Sequence, residues 1–237
     1  MSGLMIKDML DEEKPREKAC RFGIRTLSTA ELLAILLRTG IKGQSVIDTS
    51  QALLRKAKNG AGLASMSLEE IMEISGIGQA KALVLLASFE LARRMAYEDI
   101  KGEQIKTPES LVHWLKSEIG TNMQEMFLVI YLNAQLRIIT HRILFQGTIN
   151  EASVYPREIF KEALLLNSTS LMFAHNHPGG EIVPSPADIA LTERLVKVAD
   201  LMGVKVLDHI IVGSNGYFSC ARQGILGECM TDKDNQW

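Results

Sequence analysis

The fold of this chain is decided by the stretch Phe173-Ala174-His175-Asn176-His177-Pro178-Gly179-Gly180, which Ser185-Pro186-Ala187-Asp188 follows closely. Two of the five histidines stand there at positions i and i+2. On an extended backbone this spacing directs both imidazoles to the same face. An apolar run, residues 171–174, leads into them and predicts a buried strand. The two histidines are therefore expected to emerge where that strand ends.

The residues after the histidines predict a turn and then a helix that carries a carboxylate. Gly179-Gly180 allows the backbone to turn sharply, and Ser185-Pro186 begins a helix with Asp188 in its first turn. His175, His177 and Asp188 can therefore converge on one point. Two nitrogen ligands and one oxygen ligand leave a fourth position open, as at a catalytic zinc rather than at a closed structural site. We therefore expect one Zn²⁺ per chain.

The same segment also matches a helix cap that needs no metal. Ser185 is expected at the N-cap, Pro186 at the first helical position, and Asp188 where its charge faces the positive end of the helix dipole. A histidine near the end of a strand is, moreover, commonly a hydrogen-bonded surface residue. Capping explains the acid at the start of the helix but not the paired histidines before it. The two interpretations can both hold.

The signature of the JAMM (MPN+) metalloproteases matches this chain in order and spacing, at His175-Asn176-His177-Pro178 and at Ser185-x-x-Asp188. Over nearly its whole length the chain also resembles the bacterial RadC family, historically called a DNA-repair protein. That resemblance is carried by residues 12–18, 32–40 and 207–213. Gly179 departs from the pattern, because the family usually has a serine after the proline.

The resemblance implies a fold, an activity and a partner. The implied fold is α/β, a JAMM/MPN-type mixed sheet flanked by helices and preceded by a small all-α helix-hairpin-helix domain. The implied activity is that of a zinc-dependent hydrolase that cleaves peptide or isopeptide bonds of a protein or peptide substrate with metal-activated water. A function of another class stays open, a DNA-associated repair or recombination factor whose metal site is structural or vestigial.

The resemblance also implies roles for two residues that are not metal ligands. Glu125 matches the family's glutamate two residues before an apolar run. In the family, this glutamate takes a proton from the water and delivers it to the leaving amine. Read without the resemblance, it is a charge at the start of a strand. Ser185 resembles the serine that hydrogen-bonds the oxyanion, although its hydroxyl could instead be occupied in the N-cap. Asp208-His209 lies on a predicted strand of the same sheet, either as a pair that orients a ligand or as a buried, hydrogen-bonded histidine.

Gly76-Ile77-Gly78, between two predicted helices, resembles the helix-hairpin-helix motif. Glycines there let backbone N–H groups at a helix N-terminus approach a phosphate closely, and Lys81 in the first turn could contact one. The loop thereby predicts duplex DNA as a second partner. The alternative is a tight corner between helices in which glycine serves packing alone, since short glycine motifs often match by chance.

Periodicity divides the chain into a helical domain, residues 1–101, and a second domain, residues 105–237. In the second domain strands alternate with helices, which predicts a mixed sheet covered by helices. Its strands are expected at 126–132, 137–145, just before the paired histidines, at 204–212 and from 216, and its helices at 107–118, 156–167 and 186–202. Residues 1–26 are charged and expected to be loosely ordered or to lie along the surface, and residues 59–62 are expected to form a loop.

Composition indicates a soluble globular protein, because 46% of the 237 residues are hydrophobic, 23% are charged and the net charge is −2. No apolar run approaches the roughly 18 residues of a membrane helix, and the N-terminus lacks the pattern of a signal peptide, so no membrane partner is expected. The three cysteines are widely spaced, which predicts free thiols and a cytoplasmic location.

Overall fold

The computed structural model describes residues 9–57, 60–120, 122–147, 154–213 and 216–226. The chain forms two compact units, Met1–Ala92 and Arg93–Trp237. The division between them falls inside a long helix, earlier in the chain than the limit expected from the sequence. The domain limits of 1–101 and 105–237 stay a prediction.

The first unit is helical. Its helices are α1 (Pro15–Phe22), α2 (Thr29–Leu37), α3 (Val46–Lys56), α4 (Gly60–Ala64), α5 (Leu68–Met72) and most of α6 (Gln79–Glu98), with short 3₁₀ turns at Asp11–Glu13 and Ile24–Thr26. Capping boxes begin α2, α3 and α5, where the side chains of Ser28, Ser45 and Ser67 each accept from a backbone N–H three residues on. Leu37, Leu53 and Leu85 are fully buried in the core that these helices share.

One expectation about this unit is wrong and another holds in part. Residues 1–26 are not loosely ordered throughout, because α1 forms within them even though it lacks an apolar face, but most residues of α1 are exposed, as expected of a segment along the surface. Its start is favoured by Pro15 at the first helical position, and the Lys18 ammonium lies 2.8 Å from the Glu31 carboxylate on α2. The segment expected as a loop at residues 59–62 overlaps a short helix, Gly60–Ala64, while Asn59 lies outside the described residues.

The second unit is a five-stranded mixed sheet with helices on both faces. It contains α7 (Glu109–Leu115), a π-helical turn (Lys116–Gly120), β1 (Glu125–Leu132), β2 (Ile138–Gly147), α8 (Pro156–Leu165), β3 (Ser170–Asn176), α9 (Pro186–Leu201), β4 (Lys205–Gly213) and β5 (Gly216–Ser219). The strand order is β2-β1-β3-β4-β5, and only β3 and β4 pair in parallel. The predicted fold class, a mixed sheet flanked by helices and preceded by a helical region, is confirmed.

Strand β3 lies at the centre of this sheet, and all seven of its residues are buried. Alternate residues pack against different helices. Phe173 belongs to the core formed with α8 and α9, whereas Met172 and Ala174 belong to the core formed with α7. By the same alternation, His175 is directed toward α9, the helix that carries Asp188.

The described residues include two of the three cysteines, and the predicted cytoplasmic location stays a prediction. Cys20 is exposed and Cys220 is buried, and both are free thiols, whereas Cys229 lies outside the described residues. Within the described ranges, no helix combines the length and the apolar character that crossing a bilayer requires.

Candidate metal centre

The paired histidines lie where β3 ends. Their Nε2 atoms are 3.0 Å apart, and the side chain of His175 is 1% exposed while that of His177 is 16% exposed. Asn176 between them points to the opposite face. Its side-chain oxygen accepts from the Met126 N–H at 2.8 Å, which fixes the end of β3 to the start of β1.

Asp188 brings a carboxylate to both imidazoles from the first turn of α9. Its Oδ1 lies 3.3 Å from His175 Nε2, and its Oδ2 lies 3.4 Å from His177 Nε2. The candidate ligand atoms of the three residues all lie within 4.8 Å of one another. The buried group of His175, His177 and Asp188 could therefore hold a metal ion, and two nitrogens with one carboxylate oxygen suit zinc.

The turn between β3 and α9 depends on a close backbone contact. Gly180 has a φ of 80°, a conformation that favours glycine. The Gly180 carbonyl oxygen lies against the end of β4, 2.5 Å from the position that a Cβ on Gly213 would occupy. A side chain at Gly213 would displace this turn and, with it, the start of α9.

Ser185 is the N-cap of α9 and bonds to the same carboxylate as the histidines. Its hydroxyl accepts from the Asp188 N–H at 3.2 Å and donates to Asp188 Oδ2 at 2.6 Å. The Ser185 N–H also donates to Oδ2, at 2.7 Å, which completes a capping box. The helix cap and the convergence of ligands thus coexist. The role of Ser185 toward an oxyanion stays a prediction.

The charges of the group favour an ionised carboxylate. Burial alone would raise the pKa of Asp188, but hydrogen bonds from His175 and His177 outweigh it and hold that pKa well below its usual range. The hydrogen bond from Asp188 raises the pKa of His177, and the nearby charge of Glu125 adds to the effect. An anionic oxygen and two imidazoles at one point form a site to which a cation is attracted.

Glu125 is the first residue of β1 and is half-buried. β1 and β3 pair antiparallel with Phe127 opposite His175, so Glu125, two residues earlier, lies toward His177, two residues later. The two side chains share the face that His175 occupies. The structure therefore brings the predicted proton acceptor to the rim of the group. Its catalytic role stays a prediction.

Two further residues lie beside the site, although the sequence did not assign them to it. His209 Nε2 lies 2.8 Å from Nδ1 of His175, and its own Nδ1 lies 2.6 Å from Oγ1 of Thr192. Thr192 donates in turn to the backbone carbonyl of Asp188, at 2.6 Å. The available signals were the Asp208-His209 pair on a strand of the same sheet and the placement of Thr192 one helical turn after Asp188.

Burial shifts the pKa values of both members of the Asp208-His209 pair. His209 is fully buried, which lowers the pKa of its imidazole well below the usual value. Asp208 points away from the histidines and accepts from the backbone N–H groups of His209 and Ala221 and from the hydroxyl of Ser219. Burial raises the pKa of Asp208. Asp208 therefore holds the β4–β5 corner, and His209 alone of the pair faces the site.

The predicted hairpin of the first unit has the expected glycine loop. Gly76 has a φ of 91°, and a Cβ on Gly78 would meet nothing within 4 Å. The Lys81 ammonium donates to the backbone carbonyl of Gly76 at 2.9 Å and to that of Thr39. Lys81 thus joins this loop to the end of α2. Contacts of Gly76, Gly78 and Lys81 with DNA stay a prediction.

Comparison with known proteins gives matches along most of the chain. A family model described as a RadC-like JAB domain matches residues 105–225, and one described as UPF0758 N-terminal matches residues 6–83. A UPF0758 protein of Bacillus licheniformis is 42% identical over 224 residues, spanning 94% of this chain and 100% of that protein. A UPF0758 protein of Nitrosomonas eutropha is also 42% identical over 224 residues, with the same spans of 94% and 100%. One of Staphylococcus carnosus is 39% identical over 222 residues, spanning 93% of this chain and 98% of that protein.

Proposed function

Because this chain belongs to the family of RadC-like JAB-domain proteins, we propose that it is a zinc-dependent hydrolase of the JAMM type that cleaves peptide or isopeptide bonds. One observation carries the proposal, the convergence of His175 Nε2, His177 Nε2 and the Asp188 carboxylate at the end of β3. The donor set fits zinc, because three protein ligands of this kind leave a fourth position for substrate or water. The buried, ionised carboxylate supports the same assignment, since it offers the negative charge that a dication needs.

A bound zinc ion supplies Lewis acidity, which polarises a carbonyl and lowers the pKa of water. The chain must supply the proton transfers. Glu125, at the rim beside His177, takes a proton from the attacking water and delivers it to the leaving amine. Asp188 and the histidines remain ligands throughout and transfer no proton. The Ser185 hydroxyl is the donor available to the developing oxyanion, provided that it leaves Asp188 Oδ2 as the substrate binds.

The decisive experiment compares zinc content and hydrolysis in two matched variants of the whole chain. Glu125→Gln keeps the size of the side chain but cannot accept a proton, so zinc stays bound while turnover falls at least about 100-fold. Glu193→Gln makes the same chemical change at an exposed position of α9 and serves as the control. Substrates are sought by mass spectrometry among proteins cleaved by the wild type and spared by Glu125→Gln. Hydrolysis by Glu125→Gln at the wild-type rate would remove Glu125 from the mechanism.

We also propose that the first unit contacts duplex DNA. The supporting observation is the exposed loop at Gly78, at the N-terminus of α6, where a Cβ would meet none of the described atoms within 4 Å. In a DNA-associated repair or recombination factor, DNA binding would be the function and the metal group would only stabilise the fold. Glu125→Gln separates the two proposals, because DNA binding should survive this change while hydrolysis does not.

A further inference from the structure

A chain of three hydrogen bonds runs behind His175, on the side away from Asp188 and His177. Nδ1 of His175 is 2.8 Å from Nε2 of His209, and Nδ1 of His209 is 2.6 Å from Oγ1 of Thr192. The Thr192 hydroxyl ends the chain by donating to the Asp188 carbonyl oxygen at 2.6 Å. The chain thus begins at one candidate ligand and returns to the backbone of another.

The positions of the protons along this chain follow from its two ends. The single hydroxyl proton of Thr192 goes to the Asp188 carbonyl, which has no proton to give. Thr192 Oγ1 must therefore accept the proton of His209 Nδ1, and this leaves a lone pair on His209 Nε2. That lone pair accepts the Nδ1 proton of His175. Nδ1 of His175 is thereby committed as a donor, so Nε2 is the nitrogen that faces His177 and Asp188 and that a metal ion would take.

The surroundings of His209 hold this arrangement in place. Its ring packs edge-to-face against those of Phe127 and Phe173, with centroids 5.6 Å and 6.0 Å away. His209 stands opposite Phe173 on the parallel strands β3 and β4, while His175 stands opposite Ile211, so the two imidazoles are neighbours on the face toward α9. A fully buried ring that packs against two aromatic side chains has little freedom to turn over.

We propose that His209 and Thr192 are positioning residues that hold His175 in the tautomer protonated at Nδ1, with Nε2 free for the metal. The inference rests on the proposed metal centre. Ligating histidines commonly donate their second N–H to a carboxylate, a carbonyl or water, and that partner fixes the ring. Here the partner is a neutral imidazole, so it orients His175 without adding a negative charge to a centre that already contains Asp188.

The test uses two pairs of variants of the whole chain. His209→Phe keeps an aromatic ring against Phe127 and Phe173 but removes the acceptor, whereas His209→Gln retains an amide oxygen that can replace Nε2. Thr192→Val removes the hydroxyl at nearly constant shape, and Thr192→Ser keeps it. In each pair the second variant is the control, because it preserves the hydrogen bond while still altering the buried side chain.

Two measurements are made on every variant. Nitrogen-15 NMR of the metal-free protein reports which nitrogen of His175 carries the proton, and competition with a chelator reports the dissociation constant for zinc. We expect Nδ1 protonation in the wild type. His209→Phe should weaken zinc binding about 10- to 100-fold, with most of the affinity restored in His209→Gln. Thr192→Val should weaken binding less, and Thr192→Ser should bind as the wild type does.

An Nδ1 of His175 that carries no proton in the metal-free wild type would overturn the inference. Wild-type zinc affinity in folded His209→Phe would also overturn it. If His209→Phe does not fold, Thr192→Val and Thr192→Ser decide, and equal affinities in these two would refute the role of the chain. The proposed function fails separately, if the wild type binds no zinc, and the tautomer of His175 remains measurable in that case.

Discussion

Replacing Ser185 by alanine should distinguish a helix cap from a catalytic donor at one position. The Ser185 hydroxyl makes two hydrogen bonds, both to Asp188, accepting from its N–H at 3.2 Å and donating to its Oδ2 at 2.6 Å. Ser185→Ala removes both. It leaves the bond from the Ser185 N–H to Oδ2, at 2.7 Å, so the carboxylate keeps one of the contacts that orient it.

The magnitudes for the two roles differ enough to be separated. Loss of an N-cap serine costs about 1 kcal/mol of stability. Ser185 is exposed, so no additional burial cost is expected. If the hydroxyl also donates to the oxyanion, turnover should fall about 100- to 1000-fold, since that is the usual effect of losing one such donor.

The assay measures both quantities on the same proteins, with Ser185→Thr as the control because it retains a hydroxyl that can cap. Denaturant unfolding of the metal-free protein gives the stability, and turnover is expressed per zinc-loaded molecule. A loss of about 1 kcal/mol with unchanged turnover would refute the oxyanion role and leave only the cap. Unchanged stability would refute the energetic reasoning about the capping box.

Three further predictions concern zinc, DNA and the thiols. Elemental analysis should find about one zinc per wild-type chain and almost none in His177→Ala. The circular dichroism spectrum of His177→Ala should match that of the wild type, because the sheet has its own core. Undiminished zinc in the variant would remove His177 from the set of candidate ligands. The fragment of residues 1–101 should bind duplex DNA with little sequence preference, and its affinity should fall steeply as the salt concentration rises, because hairpin contacts go to phosphates. Absence of binding at low salt would mean that the glycines of the loop serve only the packing of the helices. Burial raises the pKa of the Cys220 thiol to about 12, which disfavours the reactive thiolate in the folded state. Alkylation of the native protein at pH 8 should therefore label the exposed Cys20 and spare Cys220 until the chain unfolds. Peptide mapping that finds equal labelling of the two would contradict the burial of Cys220.

The convergence of His175, His177 and Asp188 could be predicted because each of its signals is local in sequence. The i, i+2 spacing of His175 and His177 needs only an extended backbone, and the serine, proline and acid pattern at residues 185–188 needs only a helix start. Both elements formed where they were expected. The alternation of strands and helices likewise decided the fold class without any knowledge of how the strands pair.

The role of His209 was not decided by the sequence because it depends on pairing between distant strands. His209 meets His175 through the parallel register of β3 and β4, which includes a shift between Leu171 and Met172. Slipping one residue in that register would turn His209 to the opposite face. No local pattern fixes such a register, so the Asp208-His209 pair had two interpretations.

Helix α1 was missed for a related reason. Its residues are mostly charged, and no apolar stripe marks it as a helix that packs on a core. Helix α1 begins at a proline, and an ion pair between Lys18 and Glu31, thirteen residues apart, joins it to α2. Lys81 shows the same limit, because its bond to the Thr39 carbonyl joins two loops whose proximity is a property of the folded unit.

The three candidate ligands all lie between residues 175 and 188, while Glu125 belongs to a strand that precedes them by about fifty residues. Closing the short segment costs little chain entropy, whereas joining β1 to β3 closes a much longer loop. The longer closure anchors the shorter one, because the side chain of Asn176, at the end of β3, accepts from the Met126 N–H at the start of β1. In the proposed hydrolase, pairing of β1 with β3 would therefore both hold the metal-binding group in place and bring Glu125 to it.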